Sequence, residues 1–285
     1  MYRRHTLFGS IWRHAVLLIF VAFALFPILW VLSASFNPAN TLVGQSLIPR
    51  NPSLDNYREV FTSEQYPIAG WIRNSVVIGL ITSTLVVVMT AFAAYAFSRF
   101  RFRGRRTGLF ASLLIQVFPQ MLAAVSIYLL VLSIGRIIPA LGINTHAGLI
   151  MVYLGGAMGV NAWLMKGYFD TIPSSLEESA MIDGASPFQA FFMIILPLAR
   201  PILAVVFLLQ FIGTYSEFIL ASILITSTEK YTLAVGLQFF IQDQYASRWG
   251  VFAAASVLGA LPIVILFTLL QKNLVTGLTS GAVKG

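Results

Sequence analysis

Long apolar stretches alternate with short polar segments along most of the chain. Six of these stretches are long enough to cross the hydrocarbon core of a bilayer as helices, which takes about 20 residues. A helix is the structure that such a stretch adopts in lipid, because the hydrocarbon offers no hydrogen-bond partner to the backbone. The pattern therefore predicts an all-α integral membrane protein with six transmembrane helices, at about 15–35, 72–97, 109–132, 146–165, 201–225 and 250–270.

The polar segments define the expected domain organisation. A short basic segment, 1–14, precedes a six-span domain, 15–270, and a C-terminal tail, 271–285, follows it. Segment 36–71 contains four prolines and is predicted to be an outer loop with a short amphipathic turn at 55–61. A cleaved signal peptide is the alternative for the first apolar stretch, but that stretch is longer than the apolar region of a signal peptide.

Composition narrows the possible chemistry. The 285 residues are 58% hydrophobic and 10% charged, which leaves no room for a soluble domain of useful size between the spans. The chain contains no cysteine, and its three histidines are scattered, so a disulfide framework and a thiolate or histidine metal site are excluded.

Positive charges concentrate on one side of the predicted membrane. Five arginines lie between positions 99 and 106, directly after the second predicted span. Because Lys and Arg accumulate in cytosolic loops, this segment is assigned to the cytosol. Twelve of the 18 Lys and Arg residues are then inside, and both termini are cytosolic. A nucleic-acid interface is the other function of such a cluster, but its position beside a span favours the topological role, so no nucleic-acid partner is predicted.

Residues 173–197 form a polar insert between the fourth and fifth predicted spans. Ser174 precedes Glu177 by three residues, the spacing of a capping box in which the carboxylate returns to the serine N–H. Asp183 and Gly184 predict a tight turn, because glycine adopts a positive φ without steric cost. A first short helix is thus expected before this turn.

A second short helix is expected after the turn. Ser186 and Gln189 repeat the capping-box spacing, and Pro187 stands at the first helical position, where its missing N–H costs nothing. This helix is expected to end before Pro197. Its apolar stripe comprises Phe188, Phe191, Phe192 and Ile195. A capped helix pair of this kind is either a loop whose phenylalanines enter the lipid interface or a docking surface for a soluble partner.

The helix pair resembles a motif of the permease subunits of binding-protein-dependent ABC importers. That motif is Glu-Ala-Ala, three residues, Gly, nine residues, Ile, one residue and Leu-Pro, and this chain matches every spacing, with Ser179 in place of the first alanine. The resemblance implies a type I ABC importer permease fold with a cytosolic coupling helix pair that docks on an ATPase. It also implies the coupling residues, which are Glu177, Glu178, Ser179, Ala180, Asp183, Gly184, Ala185, Phe188, Phe191, Ile194, Leu196 and Pro197.

Other segments extend the resemblance over nearly the whole chain, to the smaller inner-membrane permeases of maltose/maltodextrin importers. They are 142–146, 166–169, 231–236 and 277–285. The resemblance implies a bacterial or archaeal cytoplasmic-membrane complex of this chain, a homologous larger permease and two copies of a sugar-type ATPase, fed by an external sugar-binding protein. It places the binding-protein contact at Gln242, Asp243, Gln244 and Tyr245, and the ATPase contact of the tail at Gly277, Ser280 and Lys284.

Polar residues within the predicted spans are candidates for a transport pathway, because they are costly in hydrocarbon. Glu217 is the one acid within an apolar stretch. It either lines a cavity or gate, or lies near the outer interface and pairs with Ser216, Tyr215 or water. Hydrogen bonds between helices are the alternative that we favour for the other cavity candidates. These are Gln116, Gln120, Tyr128, Tyr153, Asn161 and Tyr215.

The chain lacks the pattern of a nucleotide-binding loop, Gly, four residues, Gly-Lys-Ser/Thr. ATP and magnesium are therefore assigned to the partner ATPase, and this chain is predicted to be a non-catalytic transmembrane subunit without a cofactor or metal. The predicted function is ATP-driven, binding-protein-dependent sugar import by alternating access, with maltose and maltodextrins as the expected substrates. The alternatives are another oligosaccharide such as trehalose, and an ion-coupled secondary transporter.

Overall fold

The computed structural model describes residues 7–41, 43–117, 120–241 and 248–282, with side chains for all of these except 7–10, 120 and 274–282. Within these ranges all regular structure is helical. Four helices are each long and apolar enough to cross a membrane. They are α1 (Leu7–Ser35), α3 (Ile68–Arg99), α6 (His146–Phe169) and α13 (Trp249–Ala282), and they cover the first, second, fourth and sixth predicted spans.

The third and fifth predicted spans each contain two described helices. The third consists of α4 (Arg105–Val117) and α5 (Gln120–Ile137), whose axes differ by 102°. The fifth consists of α10 (Arg200–Tyr215) and α11 (Ile219–Leu224). The break after Tyr215 is stabilised by Glu217, whose carboxylate accepts the backbone N–H groups of Leu220 and Ala221 at 2.8 and 3.0 Å and so caps α11.

Short helices connect these elements. Helix α2 (Asp55–Thr62) is the amphipathic turn predicted at 55–61. The polar insert holds α7 (Ser175–Ile182), α8 (Pro187–Ala190), a π-helical segment (Phe191–Ile195) and α9 (Leu196–Leu198). The segment after α11 contains α12 (Leu233–Leu237) and two 3₁₀ turns, Thr228–Lys230 and Gln238–Phe240; a third 3₁₀ turn, Pro139–Leu141, lies before α6.

Two expected boundaries do not coincide with helix ends. Helix α1 begins at Leu7, inside the segment 1–14 that was set apart as a separate terminus. Helix α13 continues to Ala282, so the predicted tail from residue 271 begins as an extension of the sixth span. The change from apolar to polar residues marks where a helix leaves a lipid-like environment, and it does not by itself end the helix.

The chain divides into two compact units, Met1–Ala69 with Leu237–Ala260, and Gly70–Gly236 with Leu261–Gly285. In the first, the buried Asn56 amide donates to the backbone carbonyls of Ser35 and Asn37 at 3.0 and 2.9 Å. A Cβ at Gly250 would lie 2.5 Å from the Asn56 amide nitrogen, so this position admits only glycine. Helix α2 is thereby fixed to the end of α1 and the start of α13.

The second unit has two apolar cores. One lies between α5, α6 and α11, around Val131, Leu149 and Leu224. The other surrounds the polar insert, around Met165, Phe169 and Phe191. Helices α4 and α6 approach closely at Gly159, where a Cβ would lie 2.2 Å from the Ser112 carbonyl oxygen. Small residues let membrane helices approach in this way, and Gly159 does so here, whereas Gly155 faces open space.

Candidate functional site

The first helix of the polar insert begins without the predicted capping box. Ser174 has helical angles, φ −62° and ψ −25°, and its side chain caps nothing. The Glu177 carboxylate points away from the helix start and forms an ion pair with the Arg99 guanidinium at the end of α3. The capping prediction was wrong here because a partner distant in sequence competes for the carboxylate.

The Arg99–Glu177 pair is shielded from water. The two side chains are 15% and 6% exposed, and Arg99 also donates to the Ile172 carbonyl at 2.9 Å. A partly desolvated guanidinium–carboxylate contact is charge-assisted and more directional than a surface ion pair. It fixes the start of α7 to the end of the second span. The sequence placed Arg99 in the topological cluster and did not indicate this second role.

The turn between the two short helices has the predicted geometry. Gly184 has a φ of +93°, with open space where a Cβ would be. The N–H of Ala185 bonds the Ala180 carbonyl at 2.9 Å, and that of Gly184 bonds the Met181 carbonyl at 3.1 Å. This is a Schellman motif, the helix ending that uses a left-handed glycine.

The second short helix begins as predicted but does not end as predicted. The Ser186 N–H donates to Gln189 Oε1 at 2.8 Å, and the Gln189 N–H donates to Ser186 Oγ at 3.3 Å, which completes the capping box. The chain remains helical through Pro197, because a π turn precedes it and the Leu196 N–H bonds the Phe191 carbonyl five residues back. A wider turn of this kind lets a helix absorb a local irregularity instead of ending.

The apolar stripe of this second helix divides into two faces. Phe191 and Ile195 are buried, and the Phe191 ring lies 4.7 Å from that of Tyr95 on α3. Phe188 and Phe192 are 65% and 43% exposed. The segment from Pro187 to Leu198 meets α10 at 74° and so runs across the direction of that helix.

The opposite side of the helix pair is an exposed surface that combines apolar and acidic side chains. Ile182 is 87% exposed and Met193 is 74% exposed. Glu178 and Asp183 are exposed as well, in contrast to Glu177. The candidate coupling residues thus differ in burial, and they form three groups. Glu177 and Phe191 are buried, Ala180, Ala185, Ile194 and Leu196 are half-buried, and Glu178, Ser179, Asp183, Gly184, Phe188 and Pro197 are exposed.

A second charged cluster lies beside the helix pair, at the end of α6. Asp170 pairs with Lys166 and accepts a hydrogen bond of 2.6 Å from Ser98 Oγ. Burial raises the pKa of the Asp170 carboxyl, but the hydrogen bonds from Lys166 and Ser98 outweigh it, so the pKa lies below its ordinary value. The contact ties the end of α6 to the end of α3.

A cavity of about 510 Å³ lies between α5, α6 and α10, and its polar groups are Tyr153, Gln210, Thr214 and Glu217. Glu217 accepts a hydrogen bond of 2.6 Å from the Tyr153 hydroxyl. Its described hydrogen-bond partners are therefore Tyr153 and the start of α11, and not Ser216 or Tyr215. The remaining lining is apolar or small, including Ile127, Met151, Gly155 and Gly213.

The other cavity candidates bond to neighbouring groups. Gln116 Nε2 donates to the Gly156 carbonyl at 3.0 Å, and Asn161 Nδ2 donates to Gln210 Oε1 at 3.1 Å. Tyr215 is buried and stacks on Phe211 with ring centroids 5.5 Å apart. The Gln116 and Asn161 contacts correspond to the interhelical alternative, whereas Tyr215 and Phe211 both belong to α10. Gln210, which the sequence did not single out, links Asn161 to the cavity.

Asn144, at a φ of +60°, holds the segment that follows α11. Its Oδ1 accepts the N–H groups of Thr226 and Ser227 at 3.1 and 3.0 Å. The Trp71 indole donates to the Thr228 carbonyl at 2.7 Å, and a Cβ at Gly236 would lie 2.0 Å from that indole. The segments 142–146 and 231–236, which carried the resemblance, thus both take part in this set of contacts.

Two groups of candidate residues cannot be placed. The predicted binding-protein contacts Gln242, Asp243, Gln244 and Tyr245 lie outside the described residues. The same holds for Lys284 and for the side chain of Ser280, although the backbone of Gly277 and Ser280 belongs to α13.

Comparison with known sequences gives consistent matches over most of the chain. The profile of the family described as "Binding-protein-dependent transport system inner membrane component" matches residues 86–280. The chain is 47% identical over 283 residues to the maltose/maltodextrin transport system permease protein MalG of Vibrio vulnificus (strain YJ016), covering 95% of each protein. It is 45% identical to MalG of Escherichia coli (strain K12), again with 95% of each covered.

Solved structures share the fold. A chain from the crystal structure of a bacterial ABC transporter that imports the acidic polysaccharide alginate is 27% identical, with a TM-score of 0.75 and coverage of 95% of this chain and 98% of that one. A chain of a bacterial alginate ABC transporter, in complex with an alginate pentasaccharide-bound periplasmic protein, has a TM-score of 0.67 at 17% identity and supports the fold alone. The predicted importer permease fold is confirmed by these matches.

Proposed function

The chain belongs to the binding-protein-dependent transport system inner membrane components, and from this premise we propose that it is the smaller permease of an ATP-driven importer for maltose and maltodextrins. Family membership makes it a non-catalytic membrane subunit and removes the ion-coupled secondary transporter from the alternatives. The choice of sugar rests on the 45% and 47% identity to permeases named for maltose and maltodextrin transport.

The attachment of the helix pair carries the mechanistic part of this proposal. One side of the pair is fixed to α3 by Arg99 and to the apolar core around Met165 and Phe169 by Phe191 and Ile195. The other side presents Ile182 and Phe188, which are 87% and 65% exposed. A rigidly held element with an exposed apolar face surrounded by acids is suited to receive force from a docked protein, because it cannot move without the helix ends to which it is fixed.

We infer the following partners. The exposed side of the helix pair docks on one of two copies of a sugar-type ATPase, which bind ATP and magnesium, and the tail reaches the same ATPases. A homologous larger permease completes the membrane part, and an external sugar-binding protein delivers the substrate. The arginine-rich end of α3 and both termini are on the cytosolic side of a bacterial or archaeal cytoplasmic membrane.

The proposed mechanism is alternating access. Closure of the ATPase dimer on ATP moves the docked helix pair, and the fixed ends of α3, α6 and α10 follow. The permeases then change from inward-facing to outward-facing, and sugar passes from the binding protein into a cavity that the two permeases share. ATP has to favour the outward-facing state by a few kcal/mol for this shift to be nearly complete.

Uptake by vesicles that contain the complete complex tests the proposal. Radiolabelled maltose, maltotriose and trehalose are supplied with the binding protein, with and without ATP inside the vesicles. ATP-dependent uptake of maltose and maltotriose is the expected result. Uptake of trehalose alone would keep the mechanism and refute the substrate, and uptake without ATP would refute the coupling.

A further inference from the structure

The arginine-rich end of the spans contains a groove that the proposed function does not use. It consists of two adjoining cavities, of about 390 and 610 Å³, that share Arg105 and Arg106. We call it the arginine groove. The first cavity lies between α4 and the end of α6, and residues 101–107 surround the second.

The charges of the groove are only partly neutralised. Arg105 donates to the backbone carbonyls of Phe97 and Ser98, and Lys166 pairs with Asp170. Arg101, Arg103 and Arg106 are exposed, and none has an ion pair or hydrogen bond within the described part of the chain. The groove therefore combines two positioned cations with three that remain available to an anion.

The first cavity also has an apolar side. Phe110 and Trp163 line it and are 63% and 51% exposed, and Leu109 and Leu113 lie beside them. A loop that only fixes topology needs its positive charges and no apolar surface next to them. Guanidinium groups at one end of an apolar strip fit a molecule with an anionic head and a hydrocarbon tail.

We propose that the arginine groove binds an anionic phospholipid. The phosphate lies against Arg106 with Arg105 beside it, and an acyl chain runs along Phe110 and Trp163. Basic pockets between helices at the cytosolic membrane surface bind anionic head groups. Tryptophan is enriched at the membrane–water interface, where such head groups lie. A free phosphate ion would use the same guanidinium groups but would gain nothing from the apolar side.

Lipid binding is measured directly with the full-length protein in phosphatidylcholine nanodiscs that carry a small fraction of photoreactive phosphatidylglycerol. Crosslinking is expected at Phe110 and Trp163, and excess unlabelled phosphatidylglycerol should suppress it more than excess phosphatidylcholine does. Arg106→Gln should weaken this competition about fivefold, because one cation near an anionic surface contributes about 1 kcal/mol of binding free energy. Arg106→Lys should restore most of it.

Arg136→Gln is the matched control, because Arg136 is an exposed arginine at the last turn of α5 and lies outside the groove. Equal competition by the two phospholipids would overturn the proposal, and so would equal effects of Arg106→Gln and Arg136→Gln. Inorganic phosphate at matched concentration should not reduce crosslinking. If it does so as strongly as phosphatidylglycerol, the site is for phosphate and the lipid assignment is wrong.

Discussion

Two carboxylates, Glu177 and Glu217, lie beside helix starts in the second unit and are held in different ways. Glu177 is nearly buried and faces a guanidinium that itself bonds a backbone carbonyl. Glu217 is half-buried at the edge of a cavity and is held by a tyrosine hydroxyl and two backbone N–H groups. The first arrangement joins two elements by opposite charges, and the second supports a break in a helix with neutral donors.

The difference indicates how each site responds to a lost partner. Removing one member of a buried ion pair leaves an uncompensated charge and costs about 3–5 kcal/mol. Removing one neutral donor from a carboxylate that keeps two others costs about 1–3 kcal/mol. The end of the second unit that contains Arg99 and Glu177 is therefore expected to tolerate substitution less well than the cavity, as the proposal that it transmits force requires.

The largest effect is expected from Arg99→Met, which leaves the Glu177 carboxylate without its cation. ATP-dependent uptake should fall more than tenfold, and ATPase co-purification should weaken. Arg99→Met with Glu177→Leu should recover part of the loss, because an apolar pair removes the unpaired charge. Arg200→Met, at an exposed arginine on α10, is the control and should transport normally. Normal uptake by Arg99→Met would refute the anchoring role.

Gly184→Val should have the next largest effect. The residue has a φ of +93°, which a β-branched side chain adopts at a cost of about 1–2 kcal/mol, and the turn it forms sets the second short helix. Uptake should fall several-fold while the complex still assembles. Gly44→Val is the matched control, since Gly44 also has a positive φ, +74°, and open space around it. Equal losses in the two variants would mean that strain alone, and not the coupling turn, causes the defect.

Tyr153→Phe should have a smaller effect, because Glu217 keeps its two backbone donors. We expect a modest decrease in the melting temperature of the complex, corresponding to about 1–2 kcal/mol, and less than a threefold change in uptake. Tyr128→Phe, at a partly buried tyrosine outside the cavity lining, provides the control. A loss of transport as large as that of Arg99→Met would contradict the contrast between the two carboxylates and make Glu217 a transport residue.

Asp170→Asn should have the smallest effect and one that depends on pH. The pKa of Asp170 is lowered, so the stability that its ionised form contributes is fully present above the ordinary aspartate pKa of about 3.9 and is lost as pH falls through the lowered value. The side chain is 42% exposed, so the contribution is small. Melting temperatures of the two proteins should differ at pH 7 and converge below pH 4. A difference that grows on acidification would contradict this account.

Features set by neighbours in sequence were predictable. The Ser186 capping box and the Gly184 turn depend on residues three to five positions apart, and six apolar stretches determined the helical membrane fold. The motif around Glu178 located the exposed surface of the helix pair. In each case the physical cause lies within a few residues of its effect.

Features set by distant residues were not predictable. Ser174 lost its capping partner because Arg99, 78 positions away, holds the Glu177 carboxylate. The helix continues through Pro197 because a π turn precedes the proline, and no local pattern indicates that turn. Phe191 and Ile195, which belong to the turn, pack in the core around Met165 and Phe169. The role of Asn144 likewise depends on Thr226 and Ser227, which only the folded chain brings to it.

The central claim, that the helix pair moves together with the end of α3, can be tested by distance measurement between spin labels. The chain has no cysteine, so Phe100→Cys and Ser175→Cys, at two exposed positions outside the proposed docking face, provide its labelling sites. In the complete complex the distance between these labels should be the same with and without ATP, while that from position 175 to Ile137→Cys changes. The same measurement with Arg99→Met added should give a broader distribution for the first pair. A wild-type distance between 100 and 175 that shifts on ATP binding as much as the second pair would show that the helix pair moves by itself, and the proposed transmission through Arg99 would be wrong.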